Sequence, residues 1–150
     1  MSRALALVKP DGVQRGLAGE IISRIERKGL KIIGIKMIEM NSELAKQHYS
    51  DHVDKPFFSS LMNYITSGPI IALALEGPNS VQALRNLMGT TNPLEATPGS
   101  IRGDLGLSIE KNLMHGSDSE ESAKRELNIF FNKVEIFEYQ RTLDDWIIES

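Results

Sequence analysis

Residues 70–75, Ile-Ile-Ala-Leu-Ala-Leu, contain no polar side chain and follow the breaker pair Gly68-Pro69. A short apolar run bounded by turn residues reads as a strand buried on both faces. Residues 3–9 alternate, with Leu5, Leu7 and Lys9 on one face and Ala4, Ala6 and Val8 on the other. They read as a strand closed by a turn at Pro10-Asp11-Gly12. Residues 30–40, rich in Ile, read as another strand.

Between these runs the period lengthens. Leu17, Ile21, Ile22 and Ile25 recur at helical spacing, and Gly29 after Arg27-Lys28 is a C-terminal stop. Ser42 is placed to cap a short helix running through His48. Asp54 and Pro56 open a helix lined by Phe57, Leu61 and Ile65, and Pro78 opens one that ends at Gly89. Residues 90–106 carry much Gly, Pro and Thr with little periodicity, and are expected to form a long functional loop. A short strand near 109–115, a helix from about 119 to 131 and an irregular tail complete the reading. Strands and helices interleave too loosely for a doubly wound sheet. The expected class is therefore α+β, a sandwich with a small, mainly antiparallel sheet. No linker or internal repeat divides the 150 residues, which read as a single domain spanning 1–150.

Charge narrows the partners. With 17 basic against 20 acidic residues the formal net charge is -3, which argues against a surface built as a whole for nucleic acid. Phosphate ligands then require cations converging on one pocket. Cysteine is absent, so disulfides and thiolate metal sites are excluded. The first residues lack the apolar core of a signal peptide, and no apolar run approaches the roughly 20 residues that span a bilayer. A cytoplasmic location without a membrane partner is expected.

The sharpest local signal is Asn112-Leu113-Met114-His115-Gly116-Ser117-Asp118-Ser119. A strand is expected to end at His115, Gly116 to allow a tight exit, and Ser117 with Glu120 to form a capping box. An imidazole near a helix start can attack phosphorus, and the phosphoryl group it gains can be held by the backbone N–H donors there; a half-buried histidine at a strand end is the plainer alternative. Glu126 borders the apolar stripe of the following helix, where a buried carboxylate needs a partner. A histidine ring N–H would supply one and leave the other nitrogen free to attack. A carboxylate reaching solvent from the flank is the competing reading.

Candidate phosphate ligands are Lys9 at a strand end, Arg85 late in its helix and Arg102 closing the long loop, with Thr91 and Asn112 as neutral donors. Phe57 could stack on a base or belong to the core. His48 and His52, at i and i+4, lack an H-E-x-x-H frame and are expected to be mostly exposed. No residue is assigned to a metal. The P-loop and protein-kinase signatures are missing.

Together these segments resemble nucleoside diphosphate kinases. The stretch from Asn112 to Ser119 is similar to that family's active-site motif, and Val8-Lys9-Pro10-Asp11 to its opening strand. Tyr49-Ser50-Asp51-His52 and Lys55-Pro56-Phe57-Phe58 resemble its nucleotide-binding arm. Thr91-Asn92-Pro93 and Pro98-Gly99-Ser100-Ile101-Arg102-Gly103-Asp104 resemble its long subunit-contact loop. The resemblance runs in order from about residue 3 to 146.

It implies a ferredoxin-like sandwich, a four-stranded antiparallel sheet covered by helices. It also implies ping-pong transfer of the γ-phosphoryl group of ATP to nucleoside diphosphates, maintaining nucleoside triphosphate pools, with Mg²⁺ on the nucleotide phosphates. By the same resemblance His115 is the phosphorylated nucleophile, Glu126 orients it, Ser117 bonds near Glu126, and Tyr49 sits beside the histidine. Lys9, Arg85, Thr91, Arg102 and Asn112 contact phosphates and ribose, and Phe57 stacks on the base beside Leu61. A homo-oligomer is implied, with the tail through Trp146-Ile147-Ile148-Glu149 favouring a hexamer over a tetramer. A nucleotide- or single-strand-binding module without catalysis, and an oligomeric scaffold, are the competing readings. The acidic balance argues against the first and the gapless set of catalytic residues against the second.

Overall fold

The computed structural model describes residues 1–149. Its sheet has four strands: β1 (Ser2–Val8), β2 (Lys31–Glu39), β3 (Pro69–Gly77) and β4 (Met114–Gly116). They lie in the order β2-β3-β1-β4, and every neighbouring pair is antiparallel. The α+β sandwich expected from the sequence is the architecture observed.

β1 lies inside the sheet, and Ala4 through Val8 are fully buried. Its alternation feeds two cores. Ala4, Ala6 and Val8 pack with Ile21 and Ile25 of α2 (Ala18–Lys28) and with Leu84 and Met88 of α5 (Ser80–Met88). Leu5 and Leu7 pack on the other face with Ala45 of α3 (Ser42–His48), Ile65 of α4 (Phe58–Ile65) and Phe130 of α7 (Glu120–Phe130). Register matches size to size: Leu5 stands opposite Ala74, Ala6 opposite Leu73, and Leu7 opposite Ala72. Each face therefore pairs a large side chain with a small one, which keeps the layer evenly filled.

Several boundaries depart from the sequence reading. Pro10-Asp11-Gly12 is the start of a short helix, α1 (Pro10–Gln14), with Pro10 in the first turn, where its missing N–H costs nothing. Asn41, not Ser42, caps α3 by accepting the N–H of Leu44 at 2.8 Å. α4 begins only at Phe58 and α5 at Ser80, each a little past its proline. The loop expected over 90–106 contains α6 (Ile101–Leu105), whose cap Ser100 accepts the N–H of Gly103 at 3.0 Å. The last strand holds three residues rather than the span 109–115. Ser119 caps α7 through the N–H of Ser122 at 3.0 Å, so no Ser117–Glu120 box forms. The Gly29 stop holds, with φ of 106°. The tail is irregular apart from a short turn at Lys133–Glu135 and α8 (Asp144–Ile147).

Candidate active site

A cleft of about 330 Å³ opens over the ends of β1 and β4. Gly116 lets it form where it does. An added Cβ there would collide with Met88 Sδ and stand 3.0 Å from Leu84 Cδ2, so α5 can lie directly against β4. Close approach, rather than a tight turn, is what this glycine provides.

His115 enters the cleft from the middle of β4, beside Leu7 of β1. Its Nε2 lies 3.2 Å from Glu126 Oε2 on α7. The other carboxylate oxygen, Oε1, accepts the hydroxyl of Ser117 at 2.7 Å, and that hydroxyl oxygen also accepts the N–H of Leu5 at 3.0 Å. Ser117 is fully buried and Glu126 nearly so. The carboxylate is thus held from behind by a group that is itself tied to β1, and the histidine is oriented by the carboxylate. With Nε2 engaged as a donor, the lone pair of the imidazole falls on Nδ1.

The cations expected from the sequence do converge. Lys9, at the end of β1, donates to Asn112 Oδ1 at 2.9 Å, and Asn112 Nδ2 donates to the carbonyl of Thr91 at 3.0 Å. Arg85 donates to the carbonyl of Gly116 at 3.2 Å. Arg102 lies on α6 and is buried, donating to the carbonyls of Asn112 (3.1 Å), Gly89 (3.2 Å) and Met114 (2.7 Å). Three of its five N–H groups tie α6 to the end of α5 and to the segment entering β4, which leaves two for a ligand. Burial, followed by the charge of Arg102, lowers the Lys9 ammonium to about 8. Burial and the nearby Arg85 lower Arg102 to about 10. Desolvated cations that repel one another are a site waiting for an anion.

Tyr49, Thr91 and Asn112 line this cleft with His115 and Glu126. Phe57 and Leu61 are not among its walls. Phe57 is half exposed, with its ring 5.6 Å from that of His52, while Leu61 packs partly buried against the second core. Burial, then the Glu126 charge, pushes the Tyr49 phenol up, and its hydroxyl has no partner among the described residues.

Neither histidine expected to be exposed is: His52 is half-buried on the cleft wall, and His48 departs further. It is 4% exposed, not open to solvent, and its ring stands edge-on to that of His115 at 4.6 Å. Burial above all, then the charges of His115 and Arg125, lowers it to about 2, so it is neutral. The signal was present: His48 lies three residues after Ala45 and four after Leu44, both on the apolar stripe of α3. Among the described residues, His48, His115 and Glu126 form a cluster in which one donor atom of each lies within 4.8 Å of the others.

Comparison with known proteins agrees with this geometry. The family described as nucleoside diphosphate kinase matches residues 2–136. A nucleoside diphosphate kinase from Archaeoglobus fulgidus is 53% identical over 150 residues, covering 100% of this chain and 99% of the relative. The structure of a halophilic nucleoside diphosphate kinase from Halobacterium salinarum, in complex with CDP, superposes with a TM-score of 0.96 at 46% identity, over 99% of both chains. A nucleoside diphosphate kinase family protein from Babesia bovis gives a TM-score of 0.96 at 43% identity, over 99% of this chain and 100% of the other.

Proposed function

The chain belongs to the nucleoside diphosphate kinase family, and we propose that His115 is the group that carries the phosphoryl from one nucleotide to the next. The activity is transfer of the γ-phosphoryl group of ATP to a nucleoside diphosphate. The observation that carries the assignment of roles is the Ser117–Glu126–His115 chain of contacts at the foot of a cleft lined by Lys9, Arg85 and Arg102.

In the first half-reaction Nδ1 of His115 attacks the γ-phosphorus. The N–P bond forms as the bond to the β,γ-bridging oxygen breaks, and ADP departs with that electron pair. Glu126 accepts the Nε2–H throughout, which steadies the positive charge developing on the imidazole. A nucleoside diphosphate then enters the same site. Its terminal phosphate oxygen attacks, the N–P bond breaks, and the electron pair returns to Nδ1. One phosphate site used in turn by donor and acceptor gives ping-pong kinetics. Lys9, Arg85 and the two spare N–H groups of Arg102 stabilise the charge on the moving phosphoryl, which is where most of the rate in such transfers arises. Asn112 aims Lys9, the Thr91 hydroxyl and Asn112 offer neutral bonds to the nucleotide, and Tyr49 lines the cleft with its ring 4.4 Å from that of His48. Phe57, half exposed with its ring beside that of His52 on the cleft wall, would be the stacking ring, with Leu61 one helical turn further on. Stacking rewards any base, which suits an enzyme with many acceptors.

Mg²⁺ belongs to the nucleotide in this reading. The histidine-rich cluster is a poor home for a hard cation, while a cleft walled by cations suits one that arrives on phosphate oxygens and keeps its waters. Bound there it would neutralise phosphate charge. Single-domain organisation and a homohexamer are part of the proposal. Exposed Leu94, Leu107, Val134 and Trp146 supply apolar surface for self-association. A cytoplasmic location, where nucleoside triphosphate pools are held level, completes it and suits a chain without cysteine. Sedimentation at micromolar concentration would test the hexamer.

The deciding experiment is incubation with ATP and Mg²⁺ but no acceptor, followed by intact mass and site mapping. One acid-labile phosphoryl group on His115, discharged by GDP or CDP, is expected. Transfer without any His115 adduct would overturn the assignment.

A further inference from the structure

We infer that His48, His115 and Glu126 form a binding site for a late first-row divalent cation such as Zn²⁺, and that filling it shuts off phosphoryl transfer. The inhibitory half rests on the role proposed for His115; the binding half does not.

Two imidazoles and one carboxylate are a donor set that zinc takes with a fourth position left for water. Nε2 of His115 and Oε2 of Glu126 are 3.2 Å apart. Two ligands of a tetrahedral zinc, each at ~2.0–2.1 Å, stand about 3.3 Å from one another. That pair is already at coordination spacing. The largest separation within the cluster is 4.8 Å, so closure asks His48 to approach by at most about 1.5 Å.

His48 has reason to move. Both of its ring nitrogens are buried and have no hydrogen-bond partner among the described residues. Its ring meets those of Tyr49 at 4.4 Å and Phe130 at 5.2 Å edge-on, and neither residue makes a hydrogen bond to it. A metal would satisfy one of those nitrogens. Ser117 already fixes the far oxygen of Glu126 at 2.7 Å, the kind of outer contact that orients a ligating carboxylate.

Selectivity follows from the donors. Imidazole suits zinc and copper, whereas Mg²⁺ demands octahedral oxygen and gives up its waters reluctantly. The cation brought by a nucleotide would therefore leave this site alone. Lys9, Arg85, Arg102 and Arg125 line the same cleft and oppose any added positive charge, so micromolar rather than nanomolar affinity is expected.

On binding, the metal takes the Nε2 lone pair of the other neutral tautomer, so the ring proton moves from Nε2 to Nδ1 and the imidazole stays neutral. With Nδ1 protonated and the carboxylate occupied by the metal, no lone pair is left to attack phosphorus.

The test uses the whole protein freed of metals. Zn²⁺ is titrated in competition with a chromogenic chelator, and zinc-edge X-ray absorption is read on the unmutated protein. One Zn²⁺ per chain with two imidazole ligands is expected. His48→Gln and His115→Gln, each checked by circular dichroism, should weaken binding at least about 100-fold, and Ser117→Ala about 10-fold. Nucleotide transfer at fixed excess Mg²⁺ and ATP should fall as Zn²⁺ is added and return with a chelator. Absence of stoichiometric binding, an oxygen-only shell, or unchanged affinity in the folded histidine variants would overturn the site. Zinc bound through two imidazoles with transfer unimpaired would uphold the site while refuting its inhibitory role; the place of His115 in the reaction is decided separately, by whether its phosphoryl adduct forms.

Discussion

Asp11 Oδ2 accepts the backbone N–H of Leu113 at 3.1 Å, at a residue whose φ of 76° lies in the left-handed region. A leucine there carries a conformational cost of roughly 1–2 kcal/mol. The Leu113 carbonyl in turn accepts the N–H of Lys9 at 2.9 Å, and the second Asp11 oxygen takes the Tyr64 hydroxyl. One carboxylate therefore holds the turn between Asn112 and His115 in place. Asp11→Ala is expected to lower stability by about 2–3 kcal/mol in urea denaturation. Turnover should fall about 10-fold or more, because small misplacements of reacting groups are expensive. Wild-type stability in this variant would show that the clamp does not bear on the turn.

Glu126→Gln keeps the shape of the side chain and an acceptor for Ser117 while removing the negative charge behind His115. We expect kcat to fall about 10²–10³-fold with KM nearly unchanged, the pattern of an interaction made mainly in the transition state. Steady-state kinetics with paired donor and acceptor would check this. A loss confined to KM would assign Glu126 to nucleotide binding.

Lys9 must be protonated to hold phosphate, and burial brings it to about 8 in the nucleotide-free protein. On the proposed role, kcat/KM should decline as pH rises through about 8. The limb in kcat should lie higher, since bound phosphate favours the charged amine. Lys9→Met should be slow and lose that limb. The sign for folding is opposite. The native state binds fewer protons than the unfolded chain between about 8 and the ordinary lysine value of 10.5, so Lys9 favours the fold increasingly as pH rises across that interval.

Phe57 is half exposed and contributes little to either core. Phe57→Ala should raise KM about 5–30-fold for purine and pyrimidine nucleotides alike, the loss of one stacking contact. Thermal stability should change little. A base-selective effect, or none on KM, would remove Phe57 from the nucleotide site.

The two-faced alternation of β1, the Gly29 stop and the pairing of His115 with Glu126 were legible because each depends on residues near in sequence or on the cost of burying a charge. Helical and strand periods sort side chains by face, and an acidic side chain beside an apolar stripe asks for a partner. What the period cannot supply is which distant segment arrives there. By its spacing Ser117 reads as a helix cap, and only the family resemblance puts it near Glu126; in the fold its hydroxyl meets Leu5 and Glu126. Arg102 reads as a free loop cation, but three backbone carbonyls from segments around it take most of its donors. His48 reads as exposed until α3 docks on α7 and presses its ring against His115. Local residue chemistry decided the two faces of β1, the Gly29 stop and the pairing of His115 with Glu126; burial and hydrogen bonding between segments as much as 112 positions apart decided what each polar group was free to do.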